Sequence, residues 1–580
     1  MKRASDKETE AMKEGLARQV FYLGPHEEAV NKRARMLSEE HFVERLWQKD
    51  GSLWKEDAAI IDQIKGSLGW LDSPGKMASM INDIYEFTSE VFAKGVKEAV
   101  LMGMGGSSLA PLLFEKTFDR GRGGMPVKVL DTTDPATILA IERSVSLKET
   151  LFIVASKSGS TAEPNAFDHY FYSKMEEIEG LSAGGNFAAI TDPGSPLEAE
   201  ARKRCFGGII HNFKDIGGRY SALSFFGLLP AALMGLDVEK LLLRALRMAK
   251  ACTHALPVVE NPGVMLGAAM GELALKGIDK LTFLIAEPLS ALGLWLEQLV
   301  AESLGKEGLG ILPVVGEPPG APSDYGDDRL FIAISAATHK DLSFEKSVDA
   351  LKRAGKPVIV IRLNDLYDVT QEFFRFEIAT ATAGRIIGVN PFDQPNVQES
   401  KDVTKHLLHE IEVAGHLTEP EPIAREGELS FFGDGEGGSG EGLLKTLFSS
   451  LRSSDYVALQ AYLTELDSTT EILQGMRAAI RLHTGLATTM GYGPRFLHST
   501  GQFHKGGPNT GVFLQFTADD AEDAAIPGTK YSFAILKRAQ AVGDMEAMKK
   551  HGRRIVRVHL GRNVEPGLRK VLAMVNETLP

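Results

Sequence analysis

From Ala99 onward the chain repeats one pattern, in which short apolar runs alternate with stretches of helical periodicity. The runs are AVLMGM, VKVLD, LFIVAS, FAAIT and GGIIHNF, all between residues 99 and 213. Strands that alternate with helices require right-handed crossovers and therefore a parallel, doubly wound sheet, an α/β fold whose ligand sits beyond the carboxyl ends of the strands. The pattern resumes at Leu281 with LTFLIAEPLSALGLWLEQLVAESLGK and continues through LFIAISA and PVIVIRL. This predicts a second sheet of the same architecture, with a pocket between the two. The predicted organisation is a helical N-terminal extension over 1–97, a first sheet domain over 98–266 and a second over 267–418. An acidic Gly/Pro-rich linker over 419–441 then leads to a C-terminal α/β block over 442–580. In the extension, Leu16, Val20 and Tyr22, then Leu37, Phe42, Leu46 and Trp47, are read as the apolar face of helices.

Composition narrows the partners. The chain has 580 residues, a formal net charge of -13 and two cysteines, Cys205 and Cys252, in unrelated settings. The negative balance argues against nucleic acid or an anionic membrane as main partner, while a local pocket for a small anion stays compatible with it. Two isolated cysteines encode neither a disulfide framework nor a thiolate metal site, which fits a reducing, cytoplasmic setting. The longest apolar stretch, 225–236, is too short to span a bilayer.

Two loops at strand ends carry the chemistry. VASKSGSTAEP (154–164) sets Ser156, Ser158, Ser160 and Thr161 around Lys157, and VLMGMGGSSLAP (100–111) runs through a glycine turn into a helix start. Small residues let backbone N–H groups curl into an anion-binding nest, the hydroxyls add donors, and a helix beginning near Ala162 would point its dipole at the same anion. The bland alternative is a serine-rich turn that caps a helix. Four further segments are candidates. IGGRYS (216–221) puts Arg219 behind two glycines. In LEQLVAESLGKEG (296–308), Gln298, Glu302 and Lys306 share one helical face, either as a surface ion pair or as a carboxylate whose pKa an apolar border raises. GVNPFDQPNVQESK (388–401) reads as a rigid turn before a helix. FLHSTGQFHKGGPN (496–509) holds His498, His504 and Lys505 without the carboxylate spacing of a zinc site.

Together these six motifs resemble the phosphoglucose isomerase family, over a span from Val100 to Gln502. The resemblance implies two sugar-isomerase (SIS) domains and the interconversion of glucose 6-phosphate and fructose 6-phosphate by ring opening and an enediolate, with no cofactor and no metal. It implies substrate binding by Gly106, Ser107, Ser156, Lys157, Ser158, Thr161, Gly218, Gln298 and Gln394. It further implies Glu302 as the base between C2 and C1, Arg219 beside the enediolate, and His498 with Lys401 for ring opening. A homodimer is expected; in the family the histidine comes from the neighbouring subunit, and the order of the motifs here leaves open whether His498 acts in its own subunit or across the interface. Two departures are visible. His498 follows Lys401 where more familiar isomerases have the reverse order, an order that resembles the isomerase half of transaldolase/phosphoglucose isomerase fusions. No transaldolase barrel is expected, since the stretch before residue 98 is far short of the about 250 residues a barrel needs. Ser108 stands where many members have aspartate. A dual glucose/mannose phosphate isomerase, or a sugar-phosphate sensor without catalysis, are the alternatives; a sensor would need none of Glu302, Arg219 and Lys401 together.

Overall fold

The computed structural model describes residues 14–414, 417, 419–434 and 438–580, and the side chains of these except Gln398, Ser400 and Ala414. The first thirteen residues of the expected extension and residues 435–437 of the expected linker lie outside the described residues. The extension also holds a strand, β1 (Arg18–Tyr22). β2 (Glu98–Gly103), β3 (Val127–Leu130), β4 (Thr150–Ala155), β5 (Phe187–Thr191) and β6 (Gly208–His211) form the first sheet, all parallel, in the order β3-β2-β4-β5-β6. β4 and β5 are buried at every position, as strands covered on both faces must be.

β7 (Lys280–Ile285), β8 (Leu312–Val314), β9 (Arg329–Ala336) and β10 (Val358–Leu363) make the second parallel sheet, ordered β1-β10-β9-β7-β8. β1 closes its edge antiparallel to β10, with Val20 opposite Val360. The helical reading of Leu16, Val20 and Tyr22 is thus corrected, and the reason is tertiary. Buried side chains of the helix Val369–Ile387 hold the segment extended: Ala17 N–H donates to Gln371 Oε1 at 3.0 Å, and Arg375 donates to the Ala17 carbonyl at 2.8 Å. The remainder of the extension is helical as expected, from Glu27–Glu39 to Ile81–Ala93.

The C-terminal block is a third sheet. β11 (Ala424–Glu426) and β12 (Leu429–Phe432) form a hairpin on the edge of β16 (Arg554–His559), and the order runs β11-β12-β16-β15-β13-β14 with β13 (Tyr456–Tyr462), β14 (Ala487–Tyr492) and β15 (Gly511–Thr517). β13 to β16 are mutually parallel. The segment 419–441 is therefore not a free linker: its residues 424–432 are built into this sheet as a hairpin, with Phe431 fully buried. The boundary expected at 266/267 falls inside the helix Pro262–Ala274, which packs with Val238–Ala251 on the helix Val369–Ile387 of the second unit.

Three apolar clusters join the sheets. One face of the first sheet (Leu101, Ile153, Ile190) shares a core with the second sheet (Leu281, Phe283, Ile332, Ile361) through the intervening helices. Its other face (Val100, Phe152, Phe187) is covered partly by Phe533 and Leu536 of the helix Phe533–Lys550, and by Leu407 and Ile411 of the helix Pro395–Ala414. Leu312 and Val314 of β8 pack with Tyr456 and Phe513 of the third sheet. Each large side chain so buried contributes about 1.5–3 kcal/mol. The third sheet is accordingly fixed to both others.

Candidate active site

The loops meet at the carboxyl ends of the strands of the first two sheets, where a doubly wound fold places its ligand. β2 runs into the turn Gly105–Ser107, and Ser108 Oγ closes that turn on the Gly105 carbonyl at 3.1 Å. The turn lies against the next loop so closely that a Cβ on Gly106 would sit 2.0 Å from the Gly218 carbonyl oxygen. β4 runs into the hydroxyl loop. Gly159, at φ +65°, lets it turn back, its N–H donating to the buried Ser156 Oγ at 3.2 Å, and Ser156 Oγ reaches Thr161 Oγ1 at 3.3 Å. Ser158 and Ser160 are exposed and bonded to each other, so this loop presents free hydroxyl surface. The helix Ala162–Glu179 begins directly behind it.

Lys157 faces elsewhere: its ammonium is engaged by Asp192 and by the Lys214 carbonyl, the latter at 3.1 Å. Its charge is thus already paired, whereas Ser158 and Ser160 are open to a ligand.

Arg219, in the turn Gly218–Tyr220, is 3% exposed. Nε donates to Ser303 Oγ at 2.7 Å, Nη1 to Gln394 Oε1 at 2.8 Å, and Nη2 to the carbonyls of Pro391 and Asp393 at 2.7 and 2.9 Å. A guanidinium held on three sides keeps one fixed orientation, and its Nη1 lies 3.5 Å from Glu302 Oε2. Glu302 is 6% exposed on the buried helix Leu292–Leu304. Burial raises its carboxyl above the usual range, and Arg219, His498, Gln298 and Lys401 together only partly offset this. Gln298 lies one turn away, its amide 3.4 Å from Glu302 and donating to the His498 carbonyl at 2.8 Å.

The surface-pair alternative for Glu302 and Lys306 does not hold. Lys306 lies beyond the helix end, is buried, and pairs with Asp393 Oδ1 at 2.7 Å. Burial, then the charge of Arg219, pushes its ammonium down to about 8 against the pull of Asp393. Its effect is to anchor the loop 390–394, whose carbonyls clamp Arg219.

His498 arrives from the third sheet, in the turn Arg495–His498 that follows β14. Its Nε2 lies 3.0 Å from Glu163 Oε1, in the first turn of the helix behind the hydroxyl loop. Burial works against ionisation of Glu163, but His498, with further help from Lys401, holds its carboxyl below the ordinary value. Nothing in the sequence distinguishes Glu163 within VASKSGSTAEP, because its partner is 335 residues away. Lys401 is exposed on the helix Pro395–Ala414, near enough that both Glu163 and Glu302 feel its charge. His504 and Lys505 do not reach the cleft: His504 Nδ1 bonds the Tyr456 hydroxyl at 2.8 Å and Lys505 pairs with Asp544 at 2.7 Å, all in the core of the third block.

A continuous set of contacts thus runs Arg219–Glu302–Gln298–His498–Glu163, ending two residues from Thr161 of the hydroxyl loop. A buried carboxylate beside a fixed cation, with an imidazole–carboxylate pair opposite, is suited to moving a proton next to a carbonyl.

Comparison with known proteins gives the same direction. A sequence model described as phosphoglucose isomerase matches residues 75–310. A glucose-6-phosphate isomerase of Rubrobacter xylanophilus is 31% identical over 419 residues, covering 62% of this chain and 95% of that protein. One from Thermus thermophilus is 29% identical over 387 residues, covering 59% and 90%. Among solved structures, a hypothetical protein of Thermus thermophilus superposes with a TM-score of 0.59 at 26% identity, over 67% of this chain and 99% of its own. A glucose-6-phosphate isomerase of Chlamydia trachomatis shares the fold at a TM-score of 0.52 and 19% identity, over 66% and 86%. With a relative matched almost end to end and the motifs converging on one cleft, the chain belongs to the phosphoglucose isomerase family.

Proposed function

We propose that this chain is a glucose-6-phosphate isomerase, interconverting glucose 6-phosphate and fructose 6-phosphate through ring opening and an enediolate. The observation that carries this reading is the buried Glu302 carboxylate, 3.5 Å from a guanidinium that is itself immobilised. The phosphate of the sugar binds to the hydroxyls of Ser107, Ser156, Ser158 and Thr161, with Gln298 and Gln394 nearby and Gly106 and Gly218 giving the backbone room to approach. Anchoring that remote group positions the reacting carbons, so an unphosphorylated sugar turns over poorly. His498, paired with the ionised Glu163, exchanges a proton with the ring oxygen, and Lys401 polarises the sugar oxygens at the cleft mouth. With the chain open, Glu302 takes the proton from C2 and returns it to C1, while the hydroxyl proton on O2 passes to O1, so that the aldehyde at C1 becomes a hydroxyl and C2 becomes the carbonyl. Arg219 faces the oxygen on which negative charge develops and stabilises it where water is excluded.

The test is turnover of fructose 6-phosphate in a coupled assay. Glu302→Gln keeps the shape and the contact with Gln298 but removes the base; turnover should fall by about a thousandfold while phosphosugar binding persists. Wild-type turnover in that variant would end the proposal.

A further inference from the structure

The third sheet has a feature that the proposed reaction does not need. In an open parallel sheet the ligand position lies where the chain's connections leave in opposite directions, and here that point is between β13 and β15, with β14 on the far side of β13. Residues 131–134, the turn that follows β3 of the first sheet, bond to the elements around this point. Asp134 Oδ1 accepts from Thr464 Oγ1, past the end of β13, at 3.0 Å, and from Lys537 Nζ at 2.7 Å. Thr133 Oγ1 donates to Gln540 Oε1 at 2.8 Å, and the amide of the same Gln540 donates to Glu163 Oε1 at 2.7 Å. Arg495, three residues before His498, takes both oxygens of Asp131 at 2.8 Å each.

The His498 turn is also tied on its other side, again within the one chain. Ser499 Oγ donates to Glu297 Oε1 at 2.9 Å, and Gln502 Nε2 donates to the Gly305 carbonyl at 2.9 Å and to Asn396 Oδ1 at 2.8 Å. Ser499, Glu297 and Gln502 are all at least 95% buried. Arg477, on the helix after β13, donates to the carbonyls of Val315 and Gly316 just past β8. These groups have their partners in place in one copy, and the imidazole they position already meets Glu163.

We propose that the third sheet uses its own ligand position as a socket for the first sheet and serves as the carrier of His498, so that one chain holds one whole site and turns substrate over without a second copy. The proposal rests on the reading that His498 and Glu302 act on the same substrate. It takes the histidine from the same chain rather than from a neighbouring subunit, the choice that the motif order leaves open.

Two inactive variants of the full chain, Glu302→Gln and His498→Ala, carry different tags and are co-expressed, so that any mixed assembly forms during folding; tandem purification then isolates it. If each chain completes its own site, the mixed assembly is as inactive as either variant alone, or no mixed assembly is recovered and each variant sediments as a monomer. Recovery of about half the wild-type specific activity in the mixed assembly would overturn the proposal, since a site shared across a two-fold axis regains one intact copy per pair. The failure of the functional reading is distinct: it shows as wild-type turnover in either variant on its own. Sedimentation of wild-type activity is a second measurement independent of subunit exchange. A peak of turnover at the size of one chain supports the proposal, and turnover found only at the size of two chains, vanishing on dilution to monomer, refutes it.

Discussion

Glu302 and Glu163 show how one chain sets two carboxylates to different tasks. Both are at least 94% buried, yet burial dominates at Glu302 and raises its carboxyl, whereas at Glu163 the charge of His498 overcomes burial and keeps it ionised. A base must be deprotonated to act, so kcat/KM should fall as pH drops through the raised value of Glu302. The acid limb of the profile should therefore lie above the ordinary 4.5 and should be absent from the residual activity of Glu302→Gln. Glu163→Gln tests the other carboxylate. It leaves a side chain of the same size but removes the charge facing His498, and turnover of the closed sugar should drop by roughly ten- to a hundredfold. Inhibition by an open-chain polyol phosphate, which needs no ring opening, should be nearly unchanged; equal loss of both would mean that Glu163 merely holds the fold.

At the scale of elements, the cleft depends on how closely two turns approach. Gly106→Ala would drive a Cβ to 2.0 Å from the Gly218 carbonyl oxygen, and neither backbone can yield cheaply. The expected result is a cost of about 1–3 kcal/mol in stability and a loss in kcat, because the displaced turn carries Arg219. Thermal unfolding and steady-state kinetics on the same preparation would check both. The elements that sequence made legible are those whose burial leaves no alternative. β4 and β5 read as unbroken apolar runs because helices cover both faces, and Glu302 with Gln298 was visible because one helix fixes their spacing. What escaped was set by distant partners. The polar segment RQVFY is a strand only because β10 has an open edge and Arg375 and Gln371 hold the preceding residue. The hairpin of β11 and β12 sits in a Gly- and acid-rich stretch that resembles a linker until β16 pairs with it. The pairing of Glu163 with His498 likewise exists only once the third sheet has docked.

On the scale of the whole molecule, the docking of the third sheet is written in buried charge, and this makes its strength pH-dependent. Lys537 sits between Asp134 and Asp520, 5% exposed on its side chain, and bonds both carboxylates. Burial opposes the charge on Asp134, but Lys537 and the Thr137 bonds outweigh it, and its carboxyl is lowered below the ordinary 3.8. A lowered carboxyl stabilises the fold above its unfolded-state value and loses that contribution as pH falls through the lowered one. Lys537→Met keeps the volume but leaves the buried Asp134 carboxylate facing the half-buried Asp520 without a cation, which should cost about 3–5 kcal/mol near neutral pH. In that variant the sign reverses. The unpaired carboxyl now prefers its proton, its folded-state value lies above the unfolded one, and the deficit against wild type should shrink as pH is lowered from 8 towards 5. Chemical denaturation of the two proteins across that range measures the difference directly, and a deficit independent of pH would show that Lys537 acts by packing alone. Kinetics separate docking from bulk stability. The hydroxyl loop stays on the first sheet while His498 travels with the third, so a loosened third sheet should lower kcat well before it weakens binding of the phosphate.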